Sequence, residues 1–336
     1  MCRHHCLDVG RYLEFLKSIR LGVQLEPVCT FIVLTQARGN EVILPSPFSQ
    51  GVQMSHPVID FRVRLPEELR PHTDKPKELT AQYDAVLDIS NKKRQTLTDL
   101  KAQMDEQSVD HAVVHAEFEI GDPADALNEA VAKVVSDDPK RFTGIGTFST
   151  QPFDIMRTWE QMAFCKEAGM VGVTTQPSFF HMGIDDRRLY PVYAKAVELD
   201  LMVCLHTGVN YGVTHPIRND HPLMLDDVAC DFPELKLVAC HAGWPWVPEM
   251  VAVARKHPNV FMEFGGLAPK YIGASGTGWE VMYRFMNSLL QDQILFGTDW
   301  PVISLSRAIS EWRDLGLKPA VLDKALGVNA ARLIGL

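Results

Sequence analysis

The chain has 336 residues, 46% of them hydrophobic and 22% charged, and its formal charge at neutral pH is −9. This acidic balance argues against nucleic acid as a partner, because a surface that follows phosphates needs a basic excess. No apolar run approaches the roughly 18 residues of a membrane span, and seven cysteines without regular spacing do not make a disulfide framework, so we expect a cytoplasmic protein with reduced thiols and no membrane partner.

Residues 1–53 differ from the rest of the chain. They show no sustained hydrophobic period and end in a stretch rich in Pro and Ser at 45–51. Met54 then leads directly into the first clear strand pattern. We interpret 1–53 as a non-globular extension or as translated upstream sequence, and we expect one folded domain over 55–336. A targeting segment is the alternative, although acidic residues within 1–53 fit a transit peptide poorly.

From Met54 onward, strand patterns alternate with helical patterns. Short runs rich in Val, Leu and Ile predict buried parallel strands at 58–64, 111–118, 142–148, 171–176, 201–206, 235–241, 260–265 and 294–299. Amphipathic stretches predict helices at 96–107, 124–137, 154–168, 187–200, 222–231, 244–257, 279–290, 304–314 and 319–335. Eight such units in roughly 280 residues predict a single (β/α)8 TIM barrel, which typically has about 250. A doubly wound open sheet is disfavoured, because no Gly-rich phosphate loop follows any strand.

Three connections at the carboxyl ends of the predicted strands are long. They cover 65–95, 177–186 and 207–221. Connections of this size in a compact fold are usually lids or binding loops. We therefore predict substrate contacts from His181 and Arg218 on these loops.

Three of the predicted strands end in side chains that carry chemistry. His206 closes the fifth strand, His241 the sixth and Asp299 the eighth. Because the carboxyl ends of barrel strands meet at the active-site mouth, these side chains should converge. Two imidazoles and a carboxylate suit a divalent metal such as zinc, or an acid–base centre. In the second strand, His115 and Glu117 are left open between packing and the same mouth.

Several short motifs occur in a fixed order along the chain. They are Val-Ile-Asp at 58–60, Asp-Asp-Arg-Arg-Leu-Tyr-Pro at 185–191, His-Thr-Gly at 206–208, His-Ala-Gly-Trp-Pro at 241–245, Phe-Gly-Thr-Asp-Trp-Pro at 296–301 and Asn-Ala-Ala-Arg-Leu at 329–333. Because these motifs occur in this order, residues 57–336 resemble the amidohydrolase superfamily. The resemblance is specifically to the amidohydrolase-related group that includes aminocarboxymuconate-semialdehyde decarboxylase. The resemblance implies a metal-dependent-hydrolase barrel in which His206 and Asp299 hold one divalent metal, usually zinc. It also implies that His241 is the general base or a further ligand.

The first strand departs from the family's pattern, which has two histidines spaced as HxH. Here the sequence is Arg62-Val63-Arg64, and strand alternation places both arginines on the face of Asp60. Arginine keeps its proton and cannot ligate a metal. A guanidinium about 5 Å from a divalent ion would cost on the order of 6–7 kcal/mol at an effective dielectric near 20. Either the arginines swing away, held by Asp60 or by a carboxylate substrate, or the usual metal is absent or weakly held. Three ligands and a water would still make a viable catalytic zinc site.

Three roles remain open for the two arginines. They could bind an anionic substrate, because the planar guanidinium matches a carboxylate. They could replace the metal as the electrophile that stabilises a developing oxyanion. They could instead form internal salt bridges with Asp60 or Glu263.

The expected activity is hydrolysis of a small carboxylated lactone, ester or amide. In this reading His241 and Asp299 activate water, while Arg62 or Arg64 holds the substrate carboxylate. The alternative is non-oxidative decarboxylation, in which Asp299 or His241 supplies a proton to carbon. A third reading is a metal-free barrel that binds anions without catalysis. The resemblance also leaves a homo-oligomer as an expectation.

Overall fold

The computed structural model describes residues 56–72, 77–92, 94–117 and 123–336. The interpretation of 1–53 therefore lies outside the described residues. Eight strands form one parallel sheet in which each strand pairs with the next in sequence. They are β1 (Ile59–Arg64), β2 (His111–His115), β3 (Phe142–Thr147), β4 (Gly172–Thr175), β5 (Met202–His206), β6 (Leu237–Cys240), β7 (Val260–Glu263) and β8 (Ile294–Leu295).

Helices alternate with the strands around the sheet. They are α1 (Lys77–Leu87), α2 (Ile89–Lys92), α3 (Leu97–Gln107), α4 (Ala124–Asp137), α5 (Ile155–Glu167), α6 (Tyr190–Glu198), α7 (Leu223–Asp231), α8 (Val247–Lys256), α9 (Glu280–Met286), α10 (Leu305–Arg313), α11 (Pro319–Asp323) and α12 (Asn329–Ile334). A π-helical turn, Lys324–Val328, joins the last two. Short 3-10 helices occupy Glu67–Leu69, Pro177–Phe180, Ile217–Asp220, His241–Gly243 and Pro269–Tyr271.

The first and last strands meet to close the barrel. The N–H of Phe61 donates to the carbonyl of Phe296 over 2.9 Å. Val63 then bridges to Trp300, and the N–H of Arg64 donates to the carbonyl of Trp300 over 3.0 Å. The predicted (β/α)8 barrel is confirmed.

The inner layer of strands and the outer layer of helices both follow from the hydrophobic pattern of the sequence. All residues of β2 and β5 are buried, as expected for strands that have core on one face and helices on the other. The helices bury one stripe each; α10, for example, buries Leu305, Ala308, Ile309 and Trp312 against the barrel.

Two of the differences from the sequence-based prediction bear on the site. The connection 65–95 was predicted as a long lid or binding loop, and it contains α1 and α2. The eighth strand was expected over 294–299, but its regular pairing ends at Leu295. The reason is that the N–H of Phe296 donates to the carbonyl of Ala325 in the last helical segment, over 2.9 Å.

Two acids are completely buried where β1, β7 and β8 come together. Asp60 accepts hydrogen bonds from Thr298 Oγ1 at 2.6 Å and from the backbone N–H groups of Thr298 and Arg62. Burial raises the pKa of Asp60 to about 7, although these hydrogen bonds oppose the shift. Burial likewise raises the pKa of Glu263 to about 8, with Arg62 opposing. Glu263 is therefore mostly protonated at neutral pH.

Within the described ranges, no helix combines the length and apolar character needed to cross a bilayer. The four cysteines in those ranges, Cys165, Cys204, Cys230 and Cys240, are free thiols.

We expect Gly327→Ala to destabilise the barrel strongly. A Cβ at Gly327 would lie 1.6 Å from the carbonyl oxygen of Pro57, and no side-chain rotation relieves a clash with backbone. The free energy of unfolding in urea should fall by about 3 kcal/mol, the upper end for overpacking. The control is Gly273→Ala, whose Cβ would lie 3.3 Å from the end of the Leu315 side chain and 3.6 Å from the Leu315 carbonyl oxygen, an ordinary van der Waals contact. Equal losses in the two variants would contradict this packing.

We expect Glu263→Gln to change how stability depends on pH. The folded-state pKa of Glu263 is raised from 4.5 to about 8, so the wild type loses stability as pH rises through this window. The variant lacks this ionisation, and its stability relative to wild type should rise by about 1 kcal/mol per pH unit, levelling off above the folded pKa. Urea denaturation across the window measures the difference. Glu106→Gln, at an exposed helix position, controls for the substitution itself. A difference between Glu263→Gln and wild type that stays constant with pH would refute the buried, protonated acid.

Candidate active site

A cavity opens at the carboxyl ends of the strands. Its ionisable side chains at the strand ends come from five different strands and are Arg62, Arg64, Glu117, His206, His241 and Asp299. The structure thus brings together five of the seven residues that the sequence analysis proposed for the site. The other two, His181 and Arg218, are exposed and do not line this cavity.

Unusual backbone conformations place two of these side chains. His241 has φ of 63° and Asp299 has φ of 55°. Both lie in the left-handed region, which is uncommon for residues other than glycine. Such conformations cluster at functional sites because the surrounding structure must hold them in place. Here they turn the chain at the ends of β6 and β8.

Asp299 binds both arginines of β1. Its Oδ1 accepts from Nε of Arg62 at 3.2 Å and from Nε of Arg64 at 2.8 Å, and its Oδ2 accepts from Nη2 of Arg64 at 2.8 Å. Burial alone would raise the pKa of the Asp299 carboxyl. The charges of Arg64 and Arg62 outweigh burial and hold this pKa well below its usual range. Asp299 is thus a firmly ionised anchor for the two guanidinium groups.

Glu117 is the second carboxylate of the network. It forms ion pairs with Nη2 of Arg62 and, at 3.0 Å, with Nη1 of Arg64. The two arginines therefore face two carboxylates, Glu117 and Asp299. The internal salt bridges expected with Asp60 or Glu263 are not the main ones. The Asp60 carboxylate is taken by Thr298 and a backbone N–H, and Glu263 lies 3.9 Å from the Arg62 guanidinium.

His241 is held as a neutral imidazole. Its Nδ1 lies 2.7 Å from the carbonyl oxygen of Gly265, which can only accept, so Nδ1 carries the hydrogen and Nε2 has the lone pair. Burial, the neighbouring His206 ring and Arg62 lower the pKa of His241 well below its ordinary value. His241 can therefore act as a base at Nε2.

His206 faces both His241 and a buried acid that the sequence analysis missed. The two imidazole rings lie 4.8 Å apart, edge to face. On its other side, Nδ1 of His206 lies 3.2 Å from Oδ1 of Asp220, within ion-pair distance, and neither of these two buried atoms makes a hydrogen bond among the described residues. Asp220 is fully buried and also accepts from the side chain of Asn210 at 2.8 Å. Because a buried carboxylate needs a partner, Asp220 and His206 form a pair that fixes the imidazole.

The sequence left open whether His115 and Glu117 pack in the core or reach the cavity, and the structure separates the two. Glu117 lines the cavity, whereas His115 is fully buried with Nε2 2.9 Å from the carbonyl oxygen of Phe61. His181 stacks on His215 with ring centroids 5.1 Å apart.

The part of the cavity that α1 and the loops form, here called the outer half, is largely apolar and aromatic, although Thr80 and Asp84 of α1 also line it. Its lining comes from α1 and from the loops after β4, β5, β6, β7 and β8, and includes Leu79, Tyr83, Leu87, Phe179, Val209, Tyr211, Trp244, Leu267 and Val302. The Tyr83 ring packs edge-on against Phe179 and Tyr211, with centroids 5.9 and 5.7 Å away. Helix α1 therefore covers one side of the mouth, and the long first connection contributes directly to the site.

These residues do not fit a divalent cation in this arrangement. Both carboxylate oxygens of Asp299 already accept hydrogen bonds from guanidinium groups. A guanidinium has no lone pair with which to ligate a metal. Repulsion from each arginine, on the order of 6–7 kcal/mol at about 5 Å, would cancel much of the roughly 10–16 kcal/mol that a good zinc site supplies. In the described part of the chain, the one group of ligand atoms within 4.8 Å of one another is Asp226, Cys230 and His257, none of which lines the cavity.

Two curated relatives match part of the chain. It is 30% identical over 247 residues to a 2-amino-3-carboxymuconate-6-semialdehyde decarboxylase of Dictyostelium discoideum, a match that covers 64% of this chain and 67% of that protein. It is 28% identical over 137 residues to a 2-keto-4-carboxy-3-hexenedioate hydratase of Sphingobium sp. (strain NBRC 103272 / SYK-6), covering 36% of this chain and 40% of the hydratase. The chain thus matches less than half the length of the hydratase.

Solved structures share the fold over most of the chain. An uncharacterised TIM-barrel protein of Bordetella bronchiseptica superimposes with a TM-score of 0.70 at 28% identity, covering 83% of this chain and 98% of that one. A 5-carboxyvanillate decarboxylase of Sphingomonas paucimobilis gives 0.61 at 16% identity, covering 84% and 100%. A dihydroxybenzoic acid decarboxylase of Polaromonas sp. JS666, with bound manganese and 2-nitroresorcinol, gives 0.60 at 17% identity, covering 84% and 97%. At such low identity, the two decarboxylases show the shared fold alone.

The family model for amidohydrolases matches residues 59–336, the whole barrel from β1 to the end of the chain. The resemblance that the strand-end motifs indicated is confirmed. The chain belongs to the amidohydrolase family and is an enzyme of the amidohydrolase superfamily.

Proposed function

We propose that this enzyme is a non-oxidative carboxy-lyase, which removes CO2 from a small aromatic or unsaturated carboxylic acid. The decarboxylase relative from Dictyostelium discoideum supports this reading over the hydrolysis that the sequence analysis preferred. The observation that carries the choice is the state of Asp299. It accepts three guanidinium hydrogen bonds and is firmly ionised, so it is a poor base for activating water.

The substrate carboxylate would bind beside Arg64. The Arg64 side chain is the more exposed of the two arginines, at 16% against 6% for Arg62, and it lines the cavity. A planar guanidinium suits a carboxylate. The rest of the substrate would contact the apolar outer half, where Tyr83, Phe179 and Tyr211 offer ring faces and edges to a planar molecule.

The two histidines would divide the proton transfers. His241, neutral with a free Nε2, accepts a proton from a substrate hydroxyl or enol and so raises the electron density on the carbon that bears the carboxylate. His206, oriented by Asp220, delivers a proton to that carbon. The π electron pair of the deprotonated substrate forms this new C–H bond. The bond from carbon to the carboxylate then breaks, its electron pair returns to the π system, and CO2 leaves. His241 returns its proton to the substrate oxygen, and His206 takes up a proton from solvent. Overall, one carboxylate and one proton give the protonated product and CO2. The two imidazoles have different environments, as a general acid and a general base require.

The arrangement of the cavity does not lead us to propose zinc at His206, His241 and Asp299. The Polaromonas decarboxylase holds manganese, but in this chain Asp299 is already occupied by two arginines.

The activity can be tested with a panel of hydroxybenzoates that carry the carboxyl group next to a hydroxyl, together with unsaturated dicarboxylates. We expect CO2 release from at least one of them. We also expect that product made in deuterium oxide carries one deuterium at the carbon that lost the carboxylate. Addition of water without CO2 release, or turnover of lactones and esters alone, would overturn the proposal.

On such a substrate, His241→Gln and His206→Gln should each lower kcat by about 10²- to 10⁴-fold, the usual value of a general acid or base. Asp220→Asn should lower kcat by about 10-fold or more with little change in KM, because it acts through the orientation of His206. Asp227→Asn, on the exposed face of α7, is the matched control and should match wild type. If Asp220→Asn and Asp227→Asn have the same kinetics, the His206–Asp220 pair has no role in the reaction.

A further inference from the structure

We infer that this amidohydrolase barrel works without a divalent metal, and that Arg64, held with Arg62 on Asp299 and Glu117, is the fixed cationic group that binds the substrate carboxylate. The role of Arg64 toward substrate rests on the proposed function. Independence from metal rests on the cavity's own contacts.

Backbone pairing sets the two arginines beside Asp299. The N–H of Asp299 donates to the carbonyl of Arg62 over 2.9 Å, and the N–H of Arg64 donates to the carbonyl of Trp300 over 3.0 Å. The three charged side chains therefore start from neighbouring points on the barrel's closing seam. Their ion pairs follow from the fold and do not depend on long side chains finding each other in solvent.

Arg62 is fixed at all three nitrogen atoms. Nε donates to Asp299 at 3.2 Å, Nη1 to the Cys240 thiol at 3.2 Å, and Nη2 to Glu117. Its side chain is only 6% exposed, and those of Asp299 and Glu117 are 3% and 10% exposed. Swinging Arg62 aside to admit a metal would break these contacts and would leave the two buried carboxylates with Arg64 as their one guanidinium partner, a costly change for buried charges.

The charges of the cluster balance without an added ion. Arg62 and Arg64 are matched by Glu117 and Asp299. Glu263, the next acid behind them, has its pKa raised to about 8 by burial and keeps its proton at neutral pH. Arg62, Arg64, Glu117 and Asp299 together carry no net charge, so a dication added beside them would give this buried cluster an excess of two positive charges.

Arg62 and Arg64 differ in what they can do. Arg62 also lines the cavity, but its side chain is only 6% exposed, and it acts as a positioning residue for Asp299 and Glu117. Arg64 is more exposed and lines the cavity. A fixed guanidinium can hold a carboxylate during reaction much as a preorganised cation does, with no reorganisation at the reacting step.

The test is titration of the full chain with Mn²⁺ and with Zn²⁺, after dialysis against a chelator, followed by calorimetry and elemental analysis. The parent protein for this test carries Cys230→Ser. Cys230 belongs to the Asp226–Cys230–His257 group, which lies apart from the cavity and could hold a metal of its own. Lys256 already donates to Asp226 at 2.7 Å and to the Cys230 thiol at 3.4 Å.

We expect no stoichiometric site in this parent. The double variant Arg62→His plus Arg64→His should gain one, binding about one ion per chain, because it supplies two imidazoles beside Asp299 and removes both repelling charges. Arg62→Lys plus Arg64→Lys keeps the charges and should bind none. Adding Asp299→Asn to the histidine variant should abolish its binding. A folded histidine variant that binds no metal would show that the arginines do not occupy the metal's position.

The parent titration decides the matter even if the histidine variant does not fold. One equivalent of metal in the parent, lost in Asp299→Asn or His206→Gln, would overturn the inference. This outcome is distinct from failure of the proposed function. A metal-free enzyme that hydrates its substrate would refute carboxy-lyase activity alone, and a metal-loaded enzyme that releases CO2 would refute metal independence alone.

Discussion

The ion pairs between Asp299 and the two arginines of β1 lie at the seam where the barrel closes, and they determine what the cavity can do. Both oxygens of the carboxylate are used. Asp299 can therefore neither accept a proton readily nor ligate a cation without first releasing a guanidinium. Glu117 completes the network from β2 and balances its charge. The remaining chemistry of the site then falls to the two imidazoles.

The imidazoles have unlike surroundings, which gives them separate tasks. His241 donates from Nδ1 to the carbonyl of Gly265, and burial keeps it neutral. His206 has a carboxylate, Asp220, beside Nδ1. The proposed base and proton donor thus lie side by side in a cavity that also contains a fixed guanidinium and a largely apolar outer half. Such a site can stabilise an anionic substrate and protonate carbon, which are the needs of decarboxylation.

Much of this arrangement could be predicted from the sequence. Strand periodicity predicts eight β/α units, and their topology alone brings His206, His241 and Asp299 to one mouth. The ion pairs of Arg62 and Arg64 could not be assigned, because several acids share their face of the barrel and only packing decides between them. Asp220 was missed because it lies in a 3-10 turn within the long loop 207–221, where no period distinguishes a buried acid from an exposed one. The mouth helix α1 was missed for a related reason, since none of its residues is fully buried.

A crystal structure grown with excess manganese, with anomalous diffraction recorded from the metal, tests the central claim most directly. We predict no anomalous peak in the cavity and a guanidinium hydrogen-bonded to each oxygen of Asp299. A peak within bonding distance of Asp299 and His206, with Arg62 and Arg64 turned away, would contradict it.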